Sequence, residues 1–184
     1  MKQVLFIDRD GTIIIEPADE QIDSLEKLEF LPYAISSLKK LQDFGYELVM
    51  VSNQDGRGTD SFPEDTFQIP HQKMLQTLKN EGIEFKEIFI DSSFPADNSP
   101  YRKPNTGMLT SYLIGNSIDL WNSYTIGDRL TDVELAKNLG CKAIYYSGQQ
   151  NNEAVYSSSS WLEITKFLTS RKDRECVLSR NTKE

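Results

Sequence analysis

Val4-Leu5-Phe6-Ile7-Asp8-Arg9-Asp10-Gly11-Thr12 decides the fold: four large apolar residues in a row, cut off by two carboxylates one residue apart. An apolar run of that kind, bounded by polar residues, reads as a strand buried on both faces of a parallel sheet. Ligands bind just past the C-terminal ends of such strands. Two acids placed there need a chemical reason.

Working outward, the same alternation recurs. Pro32 opens a helix with Ile35, Leu38 and Leu41 on one face and Gly45 at its stop, and 47–51 is a second strand, ending in Ser52 and Asn53. Residues 54–68 carry Gly56, Gly58 and Pro63 and read as a long functional loop. Pro70 suits the first turn of a helix that presents Met74, Leu75 and Leu78 and closes at Gly82. Strand 85–90, a broken stretch over 91–104, a helix around Leu109 and Tyr112, strand 124–126, helix 133–139 capped by Gly140, and strand 143–146 follow. Serines 157–160 can cap a last helix carrying Trp161, Leu162 and Leu168. The expectation is an α/β, Rossmann-like parallel sheet of about five or six strands with helices on both faces. It forms one domain over 1–170, followed by a charged, core-poor tail over 171–184.

Composition narrows the function. The chain of 184 residues is 38% hydrophobic, with no apolar run long enough for a membrane helix. Its net charge of -8 argues against nucleic acid as a partner, so a small anionic substrate requires positive charge gathered locally. Cys141 and Cys176 are too few for a disulfide framework, and Met1-Lys2-Gln3 runs straight into the first strand without a signal peptide. A cytoplasmic location is the default expectation.

Four polar clusters fall at the ends of successive strands or in the loops after them: Asp8 and Asp10, Ser52 and Asn53, Arg102 and Lys103, Asp128 and Asp132. Singly, each has an ordinary structural reading: a turn, loop residues, a solvated pair, a helix N-cap for Asp132. Together, in a doubly wound sheet, they share one rim. An ionised carboxylate there can attack phosphorus and split hydrolysis into two easier steps. Attack of an anion on a phosphate dianion needs a cation, and Mg2+ suits one or two carboxylates with substrate phosphate and water. Asp8 and Asp128 can bind that metal, and a hydroxyl, backbone amides and Lys103 can hold the phosphoryl oxygens. Asp10 is placed to protonate the departing alkoxide and then to take a proton from water, which requires a raised pKa.

Asp8-Arg9-Asp10-Gly11-Thr12, Ser52-Asn53, Lys103-Pro104 and Gly127-Asp128-Arg129-Leu130-Thr131-Asp132 resemble, in order, the four motifs of the haloacid dehalogenase (HAD) superfamily of phosphatases. Glu16-Pro17, Ser52-Asn53-Gln54-Asp55-Gly56-Arg57-Gly58-Thr59 with Ser61-Phe62-Pro63, and Arg102-Lys103-Pro104 resemble more closely the histidinol-phosphatase domain of a bifunctional histidine biosynthesis enzyme. The resemblance implies a HAD-like sheet, and the lack of a long insertion after the first strand implies a small or absent cap. The resemblance also implies Asp8 as nucleophile, Asp10 as acid and base, Ser52 and Lys103 as catalytic, Mg2+ on Asp8, Asp128 and the Asp10 backbone carbonyl, and Asp132 in support. Gly11, Thr12, Asn53 and Arg102 join Ser52 and Lys103 around the phosphate, and Glu16, Gln54 and Asp55 are candidate contacts to the leaving group, with solvated loop residues as the alternative reading. Arg180-Asn181-Thr182-Lys183-Glu184 resembles the junction to an imidazoleglycerol-phosphate dehydratase domain, so the phosphatase half alone, without dehydratase activity, is expected.

One departure stands out. Where related phosphatases carry a Cys-x-His and a later Cys-x-Cys, this chain has Asp91, Ser93, Ser99 and Tyr101, so no structural zinc is expected and Pro95, Pro100 and packing should hold the loop. His71, the single histidine, reads as structural. Histidinol phosphate carries an amine and an imidazole, which an acidic rim complements. The competing readings are a heptose bisphosphate phosphatase, favoured by a basic rim, and a non-hydrolytic phospho-receiver domain.

Overall fold

The computed structural model describes residues 1–170; the tail expected over 171–184 lies outside the described residues. Six strands form one parallel sheet: β1 (Gln3–Ile7), β2 (Tyr46–Asn53), β3 (Phe85–Asp91), β4 (Tyr124–Gly127), β5 (Lys142–Tyr145) and β6 (Tyr156–Ser157), in the order β3-β2-β1-β4-β5-β6. The two-residue β6 is the strand that periodicity cannot reveal, because two residues contain no period. Helices α1 (Ala34–Asp43), α2 (Glu64–Asn80), α3 (Thr110–Gly115), α4 (Leu130–Leu139) and a last helix α5 over 161–170 cover the faces.

The opening run behaves as its composition demands. Val4, Leu5, Phe6 and Ile7 are all essentially inaccessible, and β1 pairs with β2 on one side and β4 on the other. Side chains alternate between faces with period two. Leu5 and Ile7, with Leu48 and Met50 of β2, pack under Leu38 and Leu41 of α1, Met74 and Leu78 of α2, and Trp161 and Leu168 of α5. Val4 and Phe6, with Val49 and Val51, face Leu109, Tyr112, Leu135 and Leu139 on the opposite side.

The loop expected over 54–68 is shorter than the sequence suggests, and Pro70 is not in a first turn. Helix α2 starts at Glu64, after Pro63, and carries Pro70 in its interior. The acids Glu64 and Asp65 in its first turn favour that start, since the N-terminal end of a helix is positive. Pro70 is tolerated because Phe67, His71, Met74 and Leu78 make one buried stripe, and their packing outweighs a missing backbone bond. No separate cap domain interrupts the described chain: residues 8–33 contain a single 3-10 turn, Leu25–Lys27.

The strand order reverses direction of winding between β1 and β4, which is where an open α/β sheet leaves a crevice at its C-terminal edge. Asp8 and Asp10 follow β1, and Asp128 follows β4.

Candidate active site

The turn after β1 is built to bring carboxylates close. Gly11 has φ of +68°, and a Cβ added there would lie 2.3 Å from Asp128 Oδ2, so only glycine admits the approach of the two loops. Trp161, wholly buried on α5, donates from Nε1 to the Thr12 carbonyl at 2.7 Å across 149 positions of sequence and pins the turn from below. The Thr12 hydroxyl is 3.4 Å from Asp128 Oδ1, which it approaches as donor.

Lys103 is the cation of the site. Its ammonium, almost fully buried, lies 2.8 Å from Asp8 Oδ1 and 2.8 Å from Asp132 Oδ1. Burial works against its charge, but Asp132 and Asp8 outweigh that and raise its pKa. Asn53 fixes its backbone on both sides: Oδ1 accepts from Lys103 N at 3.0 Å and Nδ2 donates to the Lys103 carbonyl at 3.2 Å. Asp132 also accepts from Arg129 N at 3.2 Å, so the helix-capping reading and the site reading both hold for it. Gly127 makes room, since a Cβ there would fall 2.1 Å from Asp132 Oδ2.

Asp10 is held differently. Arg9 Nη1 donates to its Oδ1 at 2.7 Å and Gln54 Nε2 to its Oδ2 at 2.6 Å, with Gln54 also reaching Ser52 Oγ at 2.9 Å. Burial raises the Asp10 pKa against the pull of Arg9 and Gln54, the direction that an acid role needs. Gln54 is itself 3% exposed and its amide serves Asp10 and Ser52, which ties it to the carboxylate more than to a leaving group.

Asp8, Asp128 and Asp132 each offer an oxygen within 4.8 Å of the others. Lys103 already compensates Asp8 and Asp132. Asp128 has no such partner among the described residues, and burial followed by the charges of Asp8 and Asp132 pushes its pKa up to about 7. An oxygen-only cluster with one uncompensated carboxylate suits a hard divalent cation.

Asp8, Asp10, Glu16, Ser52, Asn53 and Arg102 line, with Lys103 and Arg129, a cavity of about 140 Å³. A second cavity of about 140 Å³ adjoins it, sharing Asp10, Glu16, Asn53 and Arg129 and adding Asp19, Glu20, Asp55 and Phe94. Its acids are partly engaged: Arg129 Nη2 pairs with Glu16 at 2.7 Å, and Arg102 with the exposed Asp55. A roomier groove of about 650 Å³ lies at the other end of the sheet, lined by Lys2, Glu47, Glu84 and Lys86. It contains none of the converging groups.

Two residues that matter here were not among those singled out from sequence. Arg129 was visible only as a cation in the 127–132 segment, and nothing in linear order sets it opposite Glu16, 113 positions away. Arg9 stands in the sequence only as the residue between two acids of the first motif, and the fold buries it completely. The 91–104 loop is also held otherwise than expected: Asp91 accepts from the Ser93 hydroxyl and, at 3.1 Å, from the Ser93 amide, and from Ser99 Oγ at 3.2 Å, while Arg102 donates to the Ser93 carbonyl at 2.6 Å. Carboxylate and guanidinium bonds, rather than its prolines alone, close the loop. His71 stacks on Phe67 at 4.9 Å, outside the cavity, as a structural residue.

The HAD-hydrolase-like family model matches residues 100–162. The "Histidine biosynthesis bifunctional protein HisB" of Spirosoma linguale is 49% identical over 203 residues, covering 100% of this chain and 53% of that protein. The protein of the same name from Xanthomonas oryzae pv. oryzae is 45% identical over 184 residues, covering 100% of this chain and 48% of its own length. Over residues 100–162 the chain is similar to the haloacid dehalogenase-like hydrolases. It spans about half the length of the curated HisB relatives it matches. Among solved structures, the D,D-heptose 1,7-bisphosphate phosphatase of B. bronchiseptica, complexed with magnesium and phosphate, shares the HAD-like fold with a TM-score of 0.79 at 22% identity, covering 92% of this chain and 99% of that one. No helix among the described residues is long and apolar enough to cross a membrane.

Proposed function

We propose that this chain is a cytoplasmic, magnesium-dependent phosphomonoesterase that hydrolyses histidinol phosphate through an aspartyl-phosphate, in histidine biosynthesis. The observation that carries the reading is the single cavity into which Asp8, Asp10, Ser52, Asn53 and Lys103 converge beside Asp128. Similarity over the whole chain to proteins named for histidine biosynthesis supports the substrate.

Lys103 and the Arg9 amide, each 2.8 Å away, hold Asp8 Oδ1, and the other oxygen of that carboxylate attacks phosphorus. The bond from phosphorus to the leaving oxygen breaks as Asp10 delivers a proton to the departing alkoxide. Asp10, now ionised, takes a proton from water as that water attacks the aspartyl-phosphate, and inorganic phosphate leaves with Asp8 restored. Ser52, the Lys103 ammonium and the Thr12 backbone bind the phosphoryl oxygens, with Arg102 at the edge and Asp132 holding Lys103, whereas the Gly11 amide is taken by the Ile14 carbonyl at 2.9 Å. Magnesium, held by the Asp8 and Asp128 carboxylates and the Asp10 carbonyl, supplies positive charge against the anionic phosphoryl group.

The acidic second cavity supports a cationic leaving group. Its lining carries one arginine, Arg129, which is paired with Glu16, against the acids Asp10, Asp19, Glu20 and Asp55, the last paired with Arg102. A doubly anionic sugar lacks a free cation to meet there. Phosphate release with magnesium is the test, on histidinol phosphate, a heptose bisphosphate and an aryl phosphate. Preference for the first upholds the reading, preference for the second replaces the substrate, and inactivity on all three leaves a phosphate-binding module. The absence of a structural zinc belongs to the same proposal, since positions 91, 93, 99 and 101 offer one carboxylate and no thiolate or imidazole.

A further inference from the structure

Arg9 is 0% exposed, and its guanidinium is only partly satisfied by hydrogen bonds. Nη1 meets Asp10 Oδ1 at 2.7 Å and Gln54 Oε1 at 3.4 Å, whereas Nε and Nη2 are buried without a hydrogen-bond partner among the described residues. Leaving such donors unpaired is costly. What meets the guanidinium instead is an aromatic ring: Cζ of Arg9 lies 5.0 Å from the centroid of Phe67, within the range where a cation is drawn to a π face. Phe67 is itself 0% exposed and locked from several sides. The edge of Phe62 packs at 5.8 Å, His71 stacks at 4.9 Å, and the Arg57 guanidinium lies 4.3 Å from its centroid.

We propose that Arg9 and Phe67 are positioning residues for Asp10, the ring of Phe67 holding the Arg9 guanidinium so that Nη1 fixes the plane of the Asp10 carboxylate. This rests on the reading of Asp10 as the proton carrier. A plain counter-ion would engage both carboxylate oxygens with its fork. Here Arg9 takes Oδ1 and Gln54 takes Oδ2, one bond to each, which sets the orientation and leaves a lone pair on each oxygen for the proton in transit. Loop 54–63 enters the same arrangement, because it supplies both Gln54 and Arg57.

The test replaces Phe67 with 3,4,5-trifluorophenylalanine, which keeps the shape of the ring and drains its π face, alongside Phe67→Leu, in the full chain with magnesium. Two reactions are followed: steady-state hydrolysis of histidinol phosphate, whose alkoxide must be protonated, and single-turnover release of p-nitrophenolate from its phosphate ester, which departs unprotonated. The expected result is a kcat on histidinol phosphate lower by about tenfold, part of the 10²–10⁴ that a general acid contributes. KM and the single-turnover rate should stay within about twofold. Equal loss in both reactions for the fluorinated protein, or no loss in either, overturns the positioning role. A wild-type protein that turns over neither ester overturns the phosphatase reading itself, a separate outcome.

Discussion

Lys103 bridges two carboxylates that lie 124 positions apart in sequence, its Nζ 2.8 Å from Asp8 Oδ1 and 2.8 Å from Asp132 Oδ1. Removing one partner of a buried pair leaves charge uncompensated. Lys103→Met is therefore expected to lower stability by about 3–5 kcal/mol in urea unfolding and to abolish phosphate release. Adding Asp132→Leu should regain part of the stability and none of the turnover. A stable single variant would show that the bridge carries no structural load.

Asp128, raised to about 7 by burial and by Asp8 and Asp132, must lose its proton to bind a cation. Magnesium affinity should weaken as pH falls through 7, approaching about tenfold per pH unit below it. Calorimetry in two buffers of different ionisation enthalpy should find about one proton released per ion bound at pH 6. Asp128→Asn should bind weakly and without that pH dependence; proton-free binding by the wild type contradicts the assignment.

Gly11→Ala puts a Cβ against the Asp128 carboxylate in a backbone conformation with φ of +68°. The two loops must separate. Destabilisation of about 1–3 kcal/mol is expected together with at least tenfold weaker magnesium binding, read by thermal unfolding and by titration. Gly140→Ala, also at positive φ but with open space at its Cβ, should cost stability without touching metal affinity.

His71 is held neutral in the fold, burial and then the nearby Arg9 and Arg57 lowering its pKa to about 4. Because the unfolded chain takes up its proton near pH 6.5, the unfolded state binds more protons between pH 6.5 and 4, and His71 stability is lost as pH falls through that window. The slope is about 1.4 kcal/mol per pH unit at most. Comparing urea midpoints at pH 7 and pH 5 should show His71→Leu losing less on acidification than the wild type. Parallel losses would place the acid sensitivity elsewhere.

Asp91 closes the 91–104 loop through Ser93 and Ser99, and that loop delivers Arg102 and Lys103. Asp91→Ala is expected to raise KM several-fold, and metal analysis of the purified wild type should find no stoichiometric zinc. Zinc at one equivalent, or activity lost to a zinc chelator and restored by zinc alone, would refute the clamp.

The parallel sheet, its helices and the four polar clusters were legible because each depends on local order: apolar runs of strand length, period-3.6 stripes, and polar residues where strands end. Lys103 and Asp128 could be singled out that way, since a sheet sends the ends of its strands to one edge whatever the details. The start of α2 was misread because Pro63 and Pro70 are equally good local punctuation, and only burial of the Phe67, His71, Met74 and Leu78 stripe chooses between them. Tertiary packing alone decided that Arg9 is buried against Phe67, that Gln54 serves Asp10, that Arg129 meets Glu16, and that Trp161 ties the last helix to Thr12. Those contacts join residues far apart in the chain, and their energies come from desolvation and shape, which no window of sequence contains. The stretch from Val4 to Thr12 determines where two carboxylates stand; the fold around it decides which oxygen of each is held, and by what.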